Sequence, residues 1–246
     1  VPAALCKLDP ATGALAGNVD AIVRAAERAK GAGAELALFS ELALTAYGPR
    51  DLLDRPAFVD AVEAASADLA RRLPHELPCL VGAPLRSRRG VGRDLWNAIL
   101  VCRGGVVERA IRKRLLPTYD VFDEDRWFEA SDEPASGSIV EVGGLRFGVT
   151  ICEDAWNDVE QMRGRVYASD PVADVVSAGA DVLVNLAGSP FTRTKREGRV
   201  QMLRAIARKH GRPLVMVNQV GGHDDLVFDG CSLAIDATGE VRARAN

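Results

Sequence analysis

Apolar and polar positions along the chain switch repeatedly between a two-residue and a helical period, and this switching predicts a layered α/β fold. AALCKL (3–8) reads as a strand. Residues 18–32 carry Ala, Ile and Val at helical spacing up to the Gly31–Gly33 stretch, and ELALFS (35–40) then reads as a buried strand. Pro56 opens a second helix, 56–73, followed by strands CLVGAPL (79–85), NAILVC (97–102) and GVVERAIRK (105–113), the last two joined by the turn pair Gly104-Gly105. Antiparallel hairpins therefore enter a β-α-β pattern. Further on come strand RFGVTIC (146–152), helix 171–178, strand DVLVNLA (181–187), helix 195–210, strand PLVMVNQV (213–220) and a hairpin over 230–244. Mixed sheets sandwiched by helices are the expected architecture. The polar, helix-poor stretch 153–170 reads as a loop bordering a site.

In such sheets ligands gather where strands end and loops begin. Glu41 directly follows strand 35–40, Lys113 ends strand 105–113, Cys152 ends strand 146–152 and Ser189 follows strand 181–187, so one crevice can collect all four. The first three are a complete set for opening an amide with a thiol. A thiol with a pKa near ~8.5 is mostly protonated at neutral pH and needs a carboxylate to take its proton or a cation to favour the thiolate. Negative charge then develops on the carbonyl oxygen, where an ammonium and main-chain N–H groups such as that of Glu153 stabilise it. Glu41 is the expected base, Lys113 the cation and Cys152 the nucleophile.

Blander readings exist for each. A cysteine closing an apolar strand is usually a small buried hydrophobe, and that reading is kept for Cys6, Cys79, Cys102 and Cys231. Lys113 sits among other basic residues; strand alternation puts Arg112 and Arg114 on the opposite face, where they are expected to be solvated. Glu41 could be a carboxylate at a helix start, but its place right after a buried strand suits a proton shuttle better.

The settings of Glu41, Lys113 and Cys152 (ELALFSELALTAYGPRDLL, AIRKRLLPTYDVFDEDRWF and RFGVTICEDAWND) resemble those of the nitrilase, or carbon–nitrogen hydrolase, superfamily. The strings VNLAGSPFTRTK and VNQVGGHDDLVFDGCSLAID narrow the resemblance to the glutaminase domain of glutamine-dependent NAD synthetases, from about residue 3 to about residue 244. The resemblance implies an α-β-β-α sandwich and a cysteine amidohydrolase that turns L-glutamine into glutamate and ammonia through a thioester, without a cofactor. It implies that Glu124 holds the lysine and substrate, that Tyr47, Tyr119 and Phe122 line the substrate pocket, and that Ser189, Lys195 and Glu153 receive the amino-acid head group. A substrate carboxylate would need such a cation and an α-ammonium such an acid.

The NAD synthetases continue into an ATP-dependent domain with an SGGxDS-type loop, and no such string occurs in these 246 residues. One domain, 1–246, is expected, delivering ammonia to a synthetase domain or subunit, and a symmetric oligomer is expected by resemblance. Because the C-terminal end comes early for the family, the chain is either a fragment or a stand-alone amidase acting on another small amide or nitrile. Composition changes little in this picture. A net charge of −3 offers neither a nucleic-acid footprint nor a polybasic membrane surface. Five dispersed cysteines without a CxxC pair point away from a zinc site or disulfide framework and toward the cytoplasm.

Overall fold

The computed structural model describes residues 1–157 and 167–245. Strands β1 (Ala3–Cys6), β2 (Leu36–Phe39), β3 (Cys79–Arg86), β4 (Leu95–Arg103) and β5 (Val106–Arg112) form one five-stranded sheet in that order, parallel between β1, β2 and β3 and antiparallel beyond. Strands β6 (Ile139–Val142), β7 (Leu145–Ile151), β8 (Val182–Ala187), β9 (Leu214–Asn218), β12 (Ser232–Ile235) and β13 (Val241–Ala245) form a six-stranded sheet ordered β13-β12-β9-β8-β7-β6. A separate hairpin, β10 (Val220–His223) and β11 (Leu226–Asp229), stands beside it.

Side-chain alternation assembles four layers. In β2, Ala37 and Phe39 face helices α1 (Leu15–Gly31) and α2 (Pro56–Arg72) in one core, while Leu36 and Leu38 face the other sheet. The inter-sheet core packs Leu36, Leu38, Leu80 and Ile99 against Val149, Ile151, Val184 and Val217. On the outer face of the second sheet, α3 (Pro171–Ser177) and α4 (Lys195–His210) cover Leu183, Leu214, Met216 and Leu233. This is the expected α-β-β-α sandwich.

The structure refines the sequence reading in four places. Strand β6 and the β10–β11 hairpin were absent from it. β6 is only four residues long and is turned into β7 by Gly143 and Gly144, both at positive φ. The strand expected over 213–220 stops at Asn218, after which the chain leaves the sheet to start the hairpin. Arg112 and Arg114 are half-buried and paired rather than freely solvated: Arg112 pairs with Glu133 and lies 5.0 Å from the Trp96 ring centre, while Arg114 reaches Asp174 at 2.7 Å. Of the loop expected over 153–170, residues 158–166 lie outside the described residues, and Cys152–Ala155 form a 3-10 turn instead of loop.

Candidate functional site

Glu41, Lys113 and Cys152 each lie one or two residues past the end of β2, β5 and β7, at one end of the sandwich. The Glu41 segment can lie there because Gly82 of β3 has no side chain: a Cβ at that position would overlap the main chain at Ser40, Glu41 and Leu42. Leu44 N then donates to Gly82 O at 3.0 Å and holds the turn down. Lys113 is registered by its main chain, N to Asn97 O at 2.8 Å and O to Ser131 N at 2.9 Å.

Cys152 opens the 3-10 turn with φ at +42°, a left-handed conformation uncommon for a residue with a side chain. Asp154 holds this bend. Its Oδ2 accepts the Ile151 amide at 2.9 Å, and its Oδ1 accepts the Arg114 and Leu115 amides at 3.1 and 2.8 Å. One buried carboxylate thus ties the turn carrying the thiol to the segment carrying the lysine. Burial raises the Asp154 carboxyl to about 6, with the three main-chain N–H groups and Lys113 working against that rise.

Around the lysine the polar groups are dry and densely paired. Lys113 and Glu41 are fully buried, and Glu124 is 5 % exposed. Lys113 Nζ donates to Glu41 Oε1 at 2.7 Å and to both oxygens of Glu124 at 2.8 and 2.9 Å. Glu41 Oε2 accepts the Gly188 amide at 2.8 Å, and Tyr47 OH donates to Glu124 Oε1 at 2.6 Å. Gly188 is tightly enclosed: a Cβ there would come within 2.8 Å of the Tyr47 ring. Asn97, fully buried in β4, donates from Nδ2 to Glu41 Oε1 at 2.7 Å and to Glu124 Oε2 at 3.3 Å.

These neighbours decide the charge states. Burial opposes the Lys113 ammonium, but Glu124 and Glu41 outweigh it and hold the lysine protonated. Burial lifts Glu124 to about 7 against the pull of Lys113, with Glu41 adding to the rise. Burial and then the Glu41 carboxylate push the Cys152 thiol well above its usual range, and Lys113 only partly offsets them. The resting sulfur is therefore a thiol, and the lysine alone does not make it a thiolate.

The remaining sequence-predicted residues make contacts around this centre. Phe122 packs edge-on to Tyr47 and Tyr119 with ring centres 6.3 and 5.6 Å apart. Glu153 accepts from Tyr119 OH at 2.9 Å on each oxygen and from Tyr167 OH at 3.0 Å. Lys195, the first residue of α4, sets its ammonium 5.0 Å from the Phe122 ring centre and 5.5 Å from that of Trp156. Ser189 is buried; its amide donates to Asn218 Oδ1 at 2.8 Å and its hydroxyl accepts from Arg199 Nη1 at 3.3 Å. Tyr47 reaches the centre by its hydroxyl bond to Glu124, so its polar end is engaged by the protein itself. A neighbouring cavity of about 290 Å³ is lined by Leu42, Tyr47, Phe122, Glu124, Trp127 and Phe128 among others, and Cys152 is not among its lining residues. Sequence reasoning did not single out Asn97, Asp154 or Gly188. Only Asp154 left a local signal, as the second acid of CEDAW.

Residues 2–246 match the carbon–nitrogen hydrolase family. The glutamine-dependent NAD(+) synthetase of Synechocystis sp. is 39% identical over 245 residues, 98% of this chain and 43% of that protein. That of Xylella fastidiosa is 37% identical over 243 residues, 98% of this chain and 42% of that protein. The chain thus spans less than half the length of these relatives. Among solved structures, the glutamine-dependent NAD+ synthetase from Acinetobacter baumannii superposes with a TM-score of 0.87 at 31% identity, covering 99% of this chain and 43% of that one. An amidase of the nitrilase superfamily from Nesterenkonia shares the fold with a TM-score of 0.78 at 22% identity, covering 99% of this chain and 86% of that one.

Proposed function

The chain belongs to the carbon–nitrogen hydrolase family and is a hydrolase, and from that premise we propose that it hydrolyses the side-chain amide of L-glutamine with Cys152 as nucleophile, Glu41 as base and Lys113 as oxyanion cation. The observation that carries the reading is the buried Glu41–Lys113–Glu124 cluster, tied by hydrogen bonds of 2.7–2.9 Å, whose charges act on the buried Cys152 thiol.

In this scheme the thiol is inert until its proton leaves, so attack and proton transfer go together. Glu41 takes the Cys152 proton as sulfur bonds to the amide carbon, and the charge gathering on the carbonyl oxygen is met by Lys113 and main-chain N–H groups. The proton passes from Glu41 to the amide nitrogen, the carbon–nitrogen bond breaks and ammonia departs, leaving a γ-glutamyl thioester. Glu41 then draws a proton from water as its oxygen adds to the thioester carbon. The carbon–sulfur bond breaks, the sulfur regains a proton and glutamate leaves. Glu124 keeps Lys113 in place, and the step requires no cofactor.

Glutamine also suits the approach. Lys195 offers a cation to the α-carboxylate and Glu153 an anion to the α-ammonium, with Phe122, Tyr47 and Tyr119 enclosing the methylenes between. We assign residues 1–246 to a single glutaminase domain. It would serve a cytoplasmic NAD synthetase, passing ammonia to a synthetase domain or subunit within a symmetric assembly. No helix among the described residues is long and apolar enough to cross a membrane.

The test is release of ammonia and acid from L-glutamine, beside a panel of other amides and nitriles and a Cys152→Ala control. Preference for glutamine, lost in the control, is expected; preference for an amide without an amino-acid head group would replace this reading with that of a stand-alone amidase.

A further inference from the structure

Asn97 is the least expected member of the buried cluster. It lies within β4, opposite Pro84 of β3, and its main-chain oxygen fixes the Lys113 amide. Its side-chain orientation is settled by its neighbours: Nδ2 meets two carboxylates, and the reversed amide would set Oδ1 against both. The two carboxylates are Glu41 and Glu124, with one ammonium, Lys113, between them. Two anions and one cation in a dry site leave an unpaid negative charge, so one carboxylate tends to hold a proton.

Which carboxylate holds it decides whether a base is ready for Cys152. Asn97 divides its Nδ2 unequally between the pair, 2.7 Å to Glu41 against 3.3 Å to Glu124. Glu41 receives Nδ2 of Asn97 at 2.7 Å, Lys113 at 2.7 Å and the Gly188 amide at 2.8 Å, all of which favour an anion. Glu124 receives Lys113 on both oxygens at 2.8 and 2.9 Å and the Tyr47 hydroxyl at 2.6 Å, but from Asn97 only the longer, 3.3 Å contact, so the asymmetry between the two carboxylates lies in Asn97 and in the Gly188 amide.

We propose that Asn97 is a positioning residue that biases the proton of the carboxylate pair onto Glu124 and so keeps Glu41 ionised as the base facing the Cys152 thiol. The proposal rests on Glu41 being that base, and no atom of Asn97 enters the reaction. Elevation of Glu124 to about 7 agrees with a carboxyl that shares a proton near neutrality. Among the described residues, the other titratable groups acting on the pair are Lys113, Tyr47 and Cys152, with Glu153 acting on the thiol and Asp154 under the influence of Lys113.

The experiment measures the pH dependence of Cys152 alkylation by iodoacetamide, followed on the Cys152 peptide by mass spectrometry, in wild type, Asn97→Leu and Asn97→Asp. Alkylation needs no substrate, so it decides this point even if glutamine proves not to be turned over. Removing the amide donor leaves the Glu41 anion less favoured, so its proton is held to higher pH. In Asn97→Leu the acid limb should move up by about one pH unit, and in Asn97→Asp, where a donor becomes a further acid, it should move up by at least as much. Where glutamine is turned over, kcat should follow the same displaced limb while KM changes less than about threefold. Asn97→Asp is the closest match in shape and serves if the leucine variant does not fold. A folded variant of either kind with the wild-type limb overturns the proposal and leaves Asn97 a packing residue.

Discussion

The reacting end and the recognition end of this site are built differently. Glu41, Lys113 and Asn97 have no solvent exposure, stand on or just past strands of the first sheet and are tied by hydrogen bonds of 2.7–2.8 Å. Tyr119, by contrast, is 43 % exposed on an irregular segment, and Lys195 opens a helix with its ammonium 5.0 and 5.5 Å from two ring centres. Groups that move protons and meet developing charge must be placed before the substrate arrives, and rigid sheets do that. Groups that choose the substrate can sit on loops, where sequence changes without disturbing the core. Under the proposed glutaminase reading, the comparison separates a fixed centre that would open the amide from an adjustable rim that would read glutamine.

Cys152→Ala should break the fixed centre most severely, lowering ammonia release on the order of 10³-fold or more while the fold persists; release at a wild-type rate would remove Cys152 from the chemistry. Next, Glu41→Gln should cost about 10²–10⁴-fold at neutral pH. It should also change the shape of the profile. The wild type should be bell-shaped in pH, as one group must be deprotonated and another protonated. Because the Cys152 thiol lies well above its usual range, the variant has only the scarce free thiolate to use, and its residual rate should climb with pH where the wild type is level. A Glu41→Gln profile that keeps the wild-type acid limb would place the base elsewhere.

Lys113→Ala should lower kcat by about 10²–10³-fold with a smaller effect on KM, since its contact strengthens as the oxyanion forms. It should also destabilise the chain by about 3–5 kcal/mol, measured by urea unfolding, because two buried carboxylates lose their cation. Equal loss in binding alone would contradict the oxyanion role. At the rim, Lys195→Met should raise KM for glutamine about tenfold or more with kcat nearly kept, and should not affect amides lacking a carboxylate. Tyr119→Phe, losing hydroxyl contacts to Glu153, should change kcat/KM by only a few fold. If the rim substitutions instead lowered kcat as far as Lys113→Ala does, the division between the two ends would fail.

That division also explains what could be read from the chain. Glu41 and Cys152 each follow a largely apolar run and Lys113 closes a mixed one, VVERAIR, so local pattern alone places them at strand ends, and the buried, almost continuously apolar strands β2 and β8 announce a sheet covered on both faces. Asn97 gives no such signal. It reads as the polar start of an apolar strand, and its meaning comes from Glu41, 56 positions away, and Glu124, 27 positions away. Gly188 is equally silent, since its amide meets Glu41 across 147 positions. The β10–β11 hairpin has a visible turn, Asp224-Asp225 with Asp224 at positive φ, but the apolar positions of VGGH are too few to announce a strand. Cys6, Cys79 and Cys102 keep the bland reading: each thiol is raised chiefly by burial, Cys6 to about 11 and Cys102 to about 12, as expected of packed side chains.

The most direct measurement is to treat the full chain with a glutamine analogue bearing an electrophilic ketone in place of the amide and to locate the label by peptide mass spectrometry. The account predicts a single γ-chain adduct on Cys152, formed in step with the loss of ammonia release and slowed by added L-glutamine. Ammonia release that continues after Cys152 is fully labelled, or inactivation with the label on another residue, would contradict it.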